Sequence, residues 1–337
     1  MGIGNLILLT PMIQTLKTSL PNADVDLITG DNHCTEGLKG SSLINQIFYY
    51  NTNQIVFLLK ALIRIRKMKY DLIIANFHVY KKRLPWLILL GKSKFQIIHQ
   101  LSDKTYDWLY DNVTHPVRYL KNLHESRQND RLLDPLHIKF CKTNPYFHID
   151  TNDRITAHKI LDNHGIKPRD FLIAIQPDSW APMRWKRWPE AYYTQLSDML
   201  VERYKGKVLI MGAQSEFKLG EFIQKKMHNP AINLMGETSV RQAAAILEKC
   251  RMLICNDSGL MHVGAAVGTH VFAIYGPTDH IRTAPMGDNT FIIRREMDCS
   301  PCHHIDNGID IHHCSNRKCL IDLDPEYVFG MIKNHIQ

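Results

Sequence analysis

Residues 252–275 constrain the fold of this chain more than any other stretch. An apolar run, Met252-Leu253-Ile254-Cys255, leads into Asn256-Asp257-Ser258-Gly259-Leu260-Met261-His262. A small-residue segment, Val263-Gly264-Ala265-Ala266-Val267-Gly268, follows, and then a second apolar run, Val271-Phe272-Ala273-Ile274-Tyr275. The order reads as strand, turn, helix, strand. The turn sets a carboxylate, a hydroxyl and a glycine where the helix begins. Free backbone N–H groups and the helix dipole favour an anion there, so a phosphate-bearing ligand is one reading. Plain N-capping by Asp257 or Ser258 is the other.

The same alternation runs through the chain. Strands are expected at 25–28, 47–50, 72–75, 94–99, 171–176 and 208–211, with helices at 56–68, 153–164, 188–203, 215–227, 239–247 and 325–336. A glycine-containing loop over 1–5 precedes a helix over 6–20, in which Pro11 marks a kink or the true start. Residues 100–147 have weak periodicity and read as helices joined by loops. Such alternation predicts an α/β chain with parallel, doubly wound sheets. The expected domains are 1–165 and 166–324, with Lys167-Pro168 as linker and a C-terminal helix over 325–337. A loop like that at 1–5 normally follows a strand. The expectation is therefore that a first strand is lost, or lies upstream of Met1.

Apolar residues make up 45% of the chain and charged ones 22%, as in soluble globular proteins. No run approaches the about 18 apolar residues that span a bilayer. Leu84-Pro85-Trp86-Leu87-Ile88-Leu89-Leu90 is shorter and contains proline. The N-terminus lacks a basic region and a small-residue cleavage site, which points to a cytoplasmic protein. Charge is uneven: residues 1–165 hold 21 Lys and Arg against 14 Asp and Glu, and the remainder 20 against 19. The excess includes Lys60, Arg64, Arg66, Lys67, Lys69, Lys81, Lys82 and Arg83. A basic surface suits anionic lipid or a phosphorylated substrate. Aromatic residues are not interleaved in an RNA-binding pattern, so no nucleic-acid partner is expected.

Three further loops follow expected strands. Gln176-Pro177-Asp178-Ser179 precedes Arg184-Trp185-Lys186-Arg187-Trp188-Pro189, a basic loop suited to a diphosphate. Gly212-Ala213-Gln214-Ser215-Glu216 places Glu216 at a helix start, to accept from a ribose or to complement the helix dipole. Tyr275-Gly276-Pro277-Thr278-Asp279 is rich in turn formers, with Arg282-Thr283 behind it. Together with 256–262 and Gly264-Ala265-Ala266, these loops resemble the family-9 glycosyltransferases, the bacterial heptosyltransferase group of lipopolysaccharide-core assembly. The resemblance spans almost the whole chain. It is looser over Gly4-Asn5-Leu6-Ile7-Leu8-Leu9-Thr10-Pro11, Leu16-Lys17, Pro21 and Tyr70-Asp71-Leu72-Ile73.

The resemblance implies a GT-B architecture, two Rossmann-like domains facing each other across a cleft. It implies a nucleotide sugar, usually ADP-heptose, on the C-terminal domain, and an acidic, lipid-linked sugar acceptor on the N-terminal one. Transfer inverts the anomeric centre and needs no metal or other cofactor. The place of work is the cytoplasm, with peripheral contact at the inner membrane. By the same resemblance Lys186 and backbone N–H groups around Ser258 and Gly259 stabilise the leaving diphosphate. Glu216 and Asp257 contact the donor, Leu260 and His262 lie on the same wall, and Asp178, Ser179, Thr278 and Asp279 complete the donor loops. The family places its proposed base, an aspartate, where this chain has Asn5. An amide accepts no proton at neutral pH. The openings are Asp103 or His78 as a substitute base, a slow reaction supported by positioning alone, or a catalytically impaired nucleotide-sugar-binding relative. A nucleotide-sugar epimerase of the same fold is another alternative, and a zinc-dependent nucleic-acid module a weaker one.

Eight cysteines remain to be read. Cys34, Cys141, Cys250 and Cys255 are scattered and read as reduced core thiols. Cys299-Ser300-Pro301-Cys302 and the later Cys314 and Cys319, with His303, His304, His312 and His313 between, match the spacing of a structural zinc site. Reduced thiols and disulfides fit that spacing as well.

Overall fold

The computed structural model describes residues 2–30, 33–50, 55–77, 84–102, 104–141, 143–179, 181–303, 314 and 316–336. The chain forms two compact units, Met1–Asn144 and Pro145–Gln337.

The N-terminal unit carries five strands: β1 (Asp26–Thr29), β2 (Gln46–Tyr49), β3 (Leu72–Ala75), β4 (Phe95–Gln100) and β5 (His115–Arg118). They form two parallel sheets, β1-β2 and β3-β4-β5. Its helices are α1 (Ile3–Ile7), α2 (Thr10–Ser19), α3 (Ile55–Met68), α4 (Leu84–Gly91), α5 (Asp107–Tyr110) and α6 (Glu125–Arg131). Helix α3 is amphipathic. Its Leu58, Ala61 and Ile65 pack with Ile28 of β1, Phe48 of β2, Ile73 of β3 and Leu87 of α4. One helix therefore covers strands of both sheets. Residues 3–5, expected as loop, join residues 6 and 7 in α1, and α2 starts at Thr10 with Pro11 in its first turn, where a missing N–H costs nothing. Helix α6 is tied in by polar contacts: Asn129 Nδ2 donates to Leu8 O at 3.3 Å. His99 of β4 takes the Phe77 N–H on Nδ1 at 3.0 Å, so its Nε2–H donates to Gln128 O at 2.9 Å.

The C-terminal unit has one parallel sheet of six strands: β6 (Leu172–Gln176), β7 (Lys207–Ile210), β8 (Ala231–Asn233), β9 (Met252–Asn256), β10 (His270–Ile274) and β11 (Thr290–Ile293). Their order, β8-β7-β6-β9-β10-β11, is that of a doubly wound nucleotide-binding sheet whose direction switches between β6 and β9. The two central strands are buried at every position, as a sheet covered on both faces requires. The helices are α7 (Thr151–Asn163), α8 (Glu190–Tyr204), α9 (Phe217–Lys226), α10 (Val240–Leu247), α11 (Gly259–Ala266), α12 (His280–Thr283), α13 (Lys318–Ile321) and α14 (Pro325–Lys333).

Two boundaries move from their expected places. The units divide at 144/145 rather than 165/166 because α7 belongs to the C-terminal unit. Arg241 of α10 bridges Asp150 at 3.0 Å and Asp153 at 3.4 Å, and Arg154 grips Glu248 at 2.8 and 3.0 Å. Lys167-Pro168 is thus the turn into β6, not a linker. Helix α14 is not a separate tail either, since Val328 and Ile332 enter the core with Trp188, Leu200 and Ile274. Cys34, Cys250 and Cys255 are buried thiols as expected, whereas Cys141 is exposed.

Candidate functional site

The loops after β6, β7, β9 and β10 all leave the carboxyl edge of the C-terminal sheet. Asn256, the last residue of β9 and fully buried, holds three of the pieces in register. Its Nδ2 donates to Pro177 O at 2.9 Å and Asp178 O at 3.3 Å, and its Oδ1 accepts the Trp188 N–H at 2.9 Å. The loop after β6, the basic loop and the turn after β9 thus share one side chain. They meet at the switch point of the sheet, where open α/β sheets take their ligands.

At the turn 256–259 the serine does not cap its helix. Ser258 stands at the N-cap position of α11 but makes no capping bond; its hydroxyl donates to Gln176 Oε1. Asp257 is drawn to Lys186, Nζ to Oδ2 3.2 Å, with both side chains largely buried. The first-turn amides of α11 keep their donors, and an ammonium lies beside them. Backbone donors beside an ammonium can take an anion. Leu260 is half-buried and His262 buried on the same helix.

Arg187 and Arg184 organise the other side. Arg187 pairs with Asp178, with Glu216 Oε2 at 3.1 Å and with Ser179 O at 2.9 Å; Arg184 reaches Glu216 Oε1 at 3.0 Å. Burial works against ionisation of Glu216, but the two guanidiniums outweigh it and hold its carboxyl below the usual range. For Asp178 burial is the largest cause, Arg187 offsets only part of it, and its carboxyl sits above the usual range. Glu216 is therefore a fixed, paired carboxylate with lone pairs to spare.

The loop after β10 contributes differently. Asp279 caps α12, accepting from Ile281 N at 3.0 Å and Arg282 N at 3.3 Å. The Thr278 hydroxyl and the Trp185 indole N–H are buried and find no hydrogen-bond partner among the described residues. Pro277 O accepts the Cys302 and His303 amides at 3.0 and 2.9 Å, so the cysteine-bearing segment is stitched to this loop. Burial, then the neighbouring thiols, raises Cys302 and pushes Cys319 up to about 11. All four cysteines are free thiols. Among the described residues no three His, Cys, Asp or Glu side chains converge as a metal site. His304, His312 and His313, which the zinc reading also draws on, lie outside the described residues.

Asp178, Ser179, Lys186, Glu216, Asp257, Ser258, Gly259, Leu260, His262, Thr278 and Asp279 thus lie along one sheet edge. Asn5 belongs to the N-terminal unit, half-buried in α1. Asp103 and His78 lie outside the described residues. Sequence reasoning named Arg184 and Arg187 only as cations of a basic loop suited to a diphosphate, and gave Asn256 no role of its own. The cation-rich loop was the signal for the two arginines, while nothing local marks Asn256 as a tie. A hollow lined by Leu161, Ile166, Leu172 and Ala245 opens at the amino end of β6, away from these loops.

Comparison with known proteins places this arrangement in a family. The family model for glycosyltransferase family 9 (heptosyltransferase) matches residues 60–311. The chain belongs to glycosyltransferase family 9. It is 24% identical over 312 residues to lipooligosaccharide heptosyltransferase 2 of Haemophilus influenzae, covering 87% of this chain and 86% of that one. The fold is shared with a family-9 glycosyl transferase from Veillonella parvula: TM-score 0.82, 21% identity, 99% of this chain and 94% of the other. It is shared too with E. coli ADP-heptose lps heptosyltransferase II: TM-score 0.76, 19% identity, 99% and 95% covered. The family-9 fold is GT-B, α/β with parallel sheets in each unit.

Proposed function

We propose that the C-terminal loops bind a nucleotide sugar, ADP-heptose, and that the chain transfers heptose with inversion onto a lipopolysaccharide-core or related surface-glycan acceptor. The observation that carries this reading is the uncapped N-terminus of α11 beside Lys186. An acceptor hydroxyl attacks the anomeric carbon opposite the diphosphate, the carbon–oxygen bond to the diphosphate breaks, and charge grows on the leaving oxygen. Lys186 and the α11 amides meet that charge. No cofactor is called on. Glu216, Arg187 and the unpaired Thr278 and Trp185 donors suit ribose and phosphate oxygens. The acceptor is read as acidic and lipid-linked, held by the basic N-terminal half and met at the cytoplasmic face of the inner membrane. No helix among the described residues is long and apolar enough to cross a membrane.

Asn5 favours a second reading, a catalytically impaired donor-binding relative, because nothing at that position takes the acceptor proton. Transfer from ADP-heptose by wild type, Lys186→Met and Asn5→Asp separates the two. The transferase reading expects turnover by wild type, a loss of about 10²-fold or more in Lys186→Met, and a gain in Asn5→Asp of up to about 10²–10⁴-fold. A silent wild type that still binds donor, revived by Asn5→Asp, establishes the second reading. Donor conversion with no acceptor present contradicts both.

A further inference from the structure

We propose that α3 and α4 form the face by which the N-terminal unit docks on an anionic phospholipid bilayer. Residues 55–100 hold ten Lys and Arg against one acid, Asp71, a net of +9 in a chain whose formal total is +8. The charge excess of the whole molecule is thus concentrated in this stretch, with four of its cations on α3 and none on α4. The same helices expose apolar side chains that a solvated cationic face does not need. On α3, Val56, Leu59 and Ile63 are 55%, 54% and 67% exposed, and they recur at helical spacing on the side away from the buried Leu58, Ala61 and Ile65. Lys60 and Lys67 share that stripe. Helix α4 is joined to α3 by the Arg66 guanidinium, which donates to Leu90 O at 2.9 Å. It adds Trp86, 51% exposed and 4.7 Å from the Trp108 ring.

Cations on flexible stems beside exposed aliphatic and indole side chains are the composition of an interfacial membrane contact. The acidic headgroups supply the missing counter-charge. The inference names a partner for the lipid-linked acceptor reading, but its evidence does not depend on transfer.

The test is co-sedimentation of the full chain with vesicles of phosphatidylcholine alone and with phosphatidylglycerol added. Binding is expected only to the anionic vesicles and to weaken with salt. Lys60→Glu/Lys67→Glu and Leu59→Glu/Ile63→Glu are each expected to lower partition about tenfold or more, with ADP-induced thermal stabilisation retained as the folding control. Equal binding to neutral vesicles, or no loss in either variant, overturns the proposal. A concentration-dependent dimer abolished by Leu59→Glu/Ile63→Glu also overturns it, and assigns the face to a second copy. Because vesicle binding is read without substrate, it can fail while transfer to a soluble acceptor persists.

Discussion

Asn256 shows how much of the site depends on one amide. It sits in a fully buried environment and satisfies a backbone N–H and two carbonyls from separate loops. Asn256→Leu leaves those groups buried and unpaired, each costing about 1–3 kcal/mol. A chemical denaturation curve should show a loss of several kcal/mol together with weakened ADP binding. Asp130 of α6 carries a different signature. Burial, only partly offset by Arg127 at 3.5 Å, pushes its carboxyl up to about 7. The folded state therefore holds that proton more tightly than the unfolded one. Its stabilising contribution is full below the ordinary carboxylate pKa and is lost as pH rises through about 7. Wild type should lose on the order of a few kcal/mol between pH 4 and pH 8 from this group. Asp130→Asn should flatten the slope in melting-temperature measurements; an unchanged slope would clear Asp130. The sequence marks neither residue, because burial of a polar side chain is a tertiary fact. Lys186, Asp257 and Ser258 were legible because a strand end, a turn and a helix start lie consecutively in the chain.

Helix α11 works only if it lies close on its sheet. A Cβ on Gly264 would stand 2.8 Å from Leu253 Cδ2 and 3.2 Å from Val271 Cγ2. Gly264→Val should push the helix off β9 and β10, cost about 1–3 kcal/mol, and misplace the amides, which calorimetric titration with ADP reads as a higher Kd. Most such elements follow from period and punctuation in the sequence: β6, β7, α3, α8, α10 and α14 lie within a few residues of their expected places. Those not expected are short or irregular. Strand β8 has only three residues, β5 contains Pro116, and β11 pairs along one edge only. The start of α1 looked like loop because Gly2 precedes it and Gly4 lies within it. The division between units was misplaced because α7 announces its partner only through Arg241, Arg154 and Glu248, far apart in sequence.

At the scale of the molecule, the chain is two α/β units with unlike surfaces. The C-terminal unit has nearly balanced charge and carries at one sheet edge the buried Thr278 hydroxyl and Trp185 indole N–H, which find no hydrogen-bond partner among the described residues. The N-terminal unit holds the basic excess and Asn5. In the proposed reading the donor loops and the position of the expected base belong to different units, so a change in one leaves the other testable. The central claim is that the carboxyl edge of the β6–β9 switch point is a nucleotide-sugar site. Hydrogen exchange on the full chain with and without ADP tests it most directly. Protection should rise at the amides of residues 258–262 and in the loop 178–187. Unchanged exchange at 258–262, or protection confined to other segments, would contradict it.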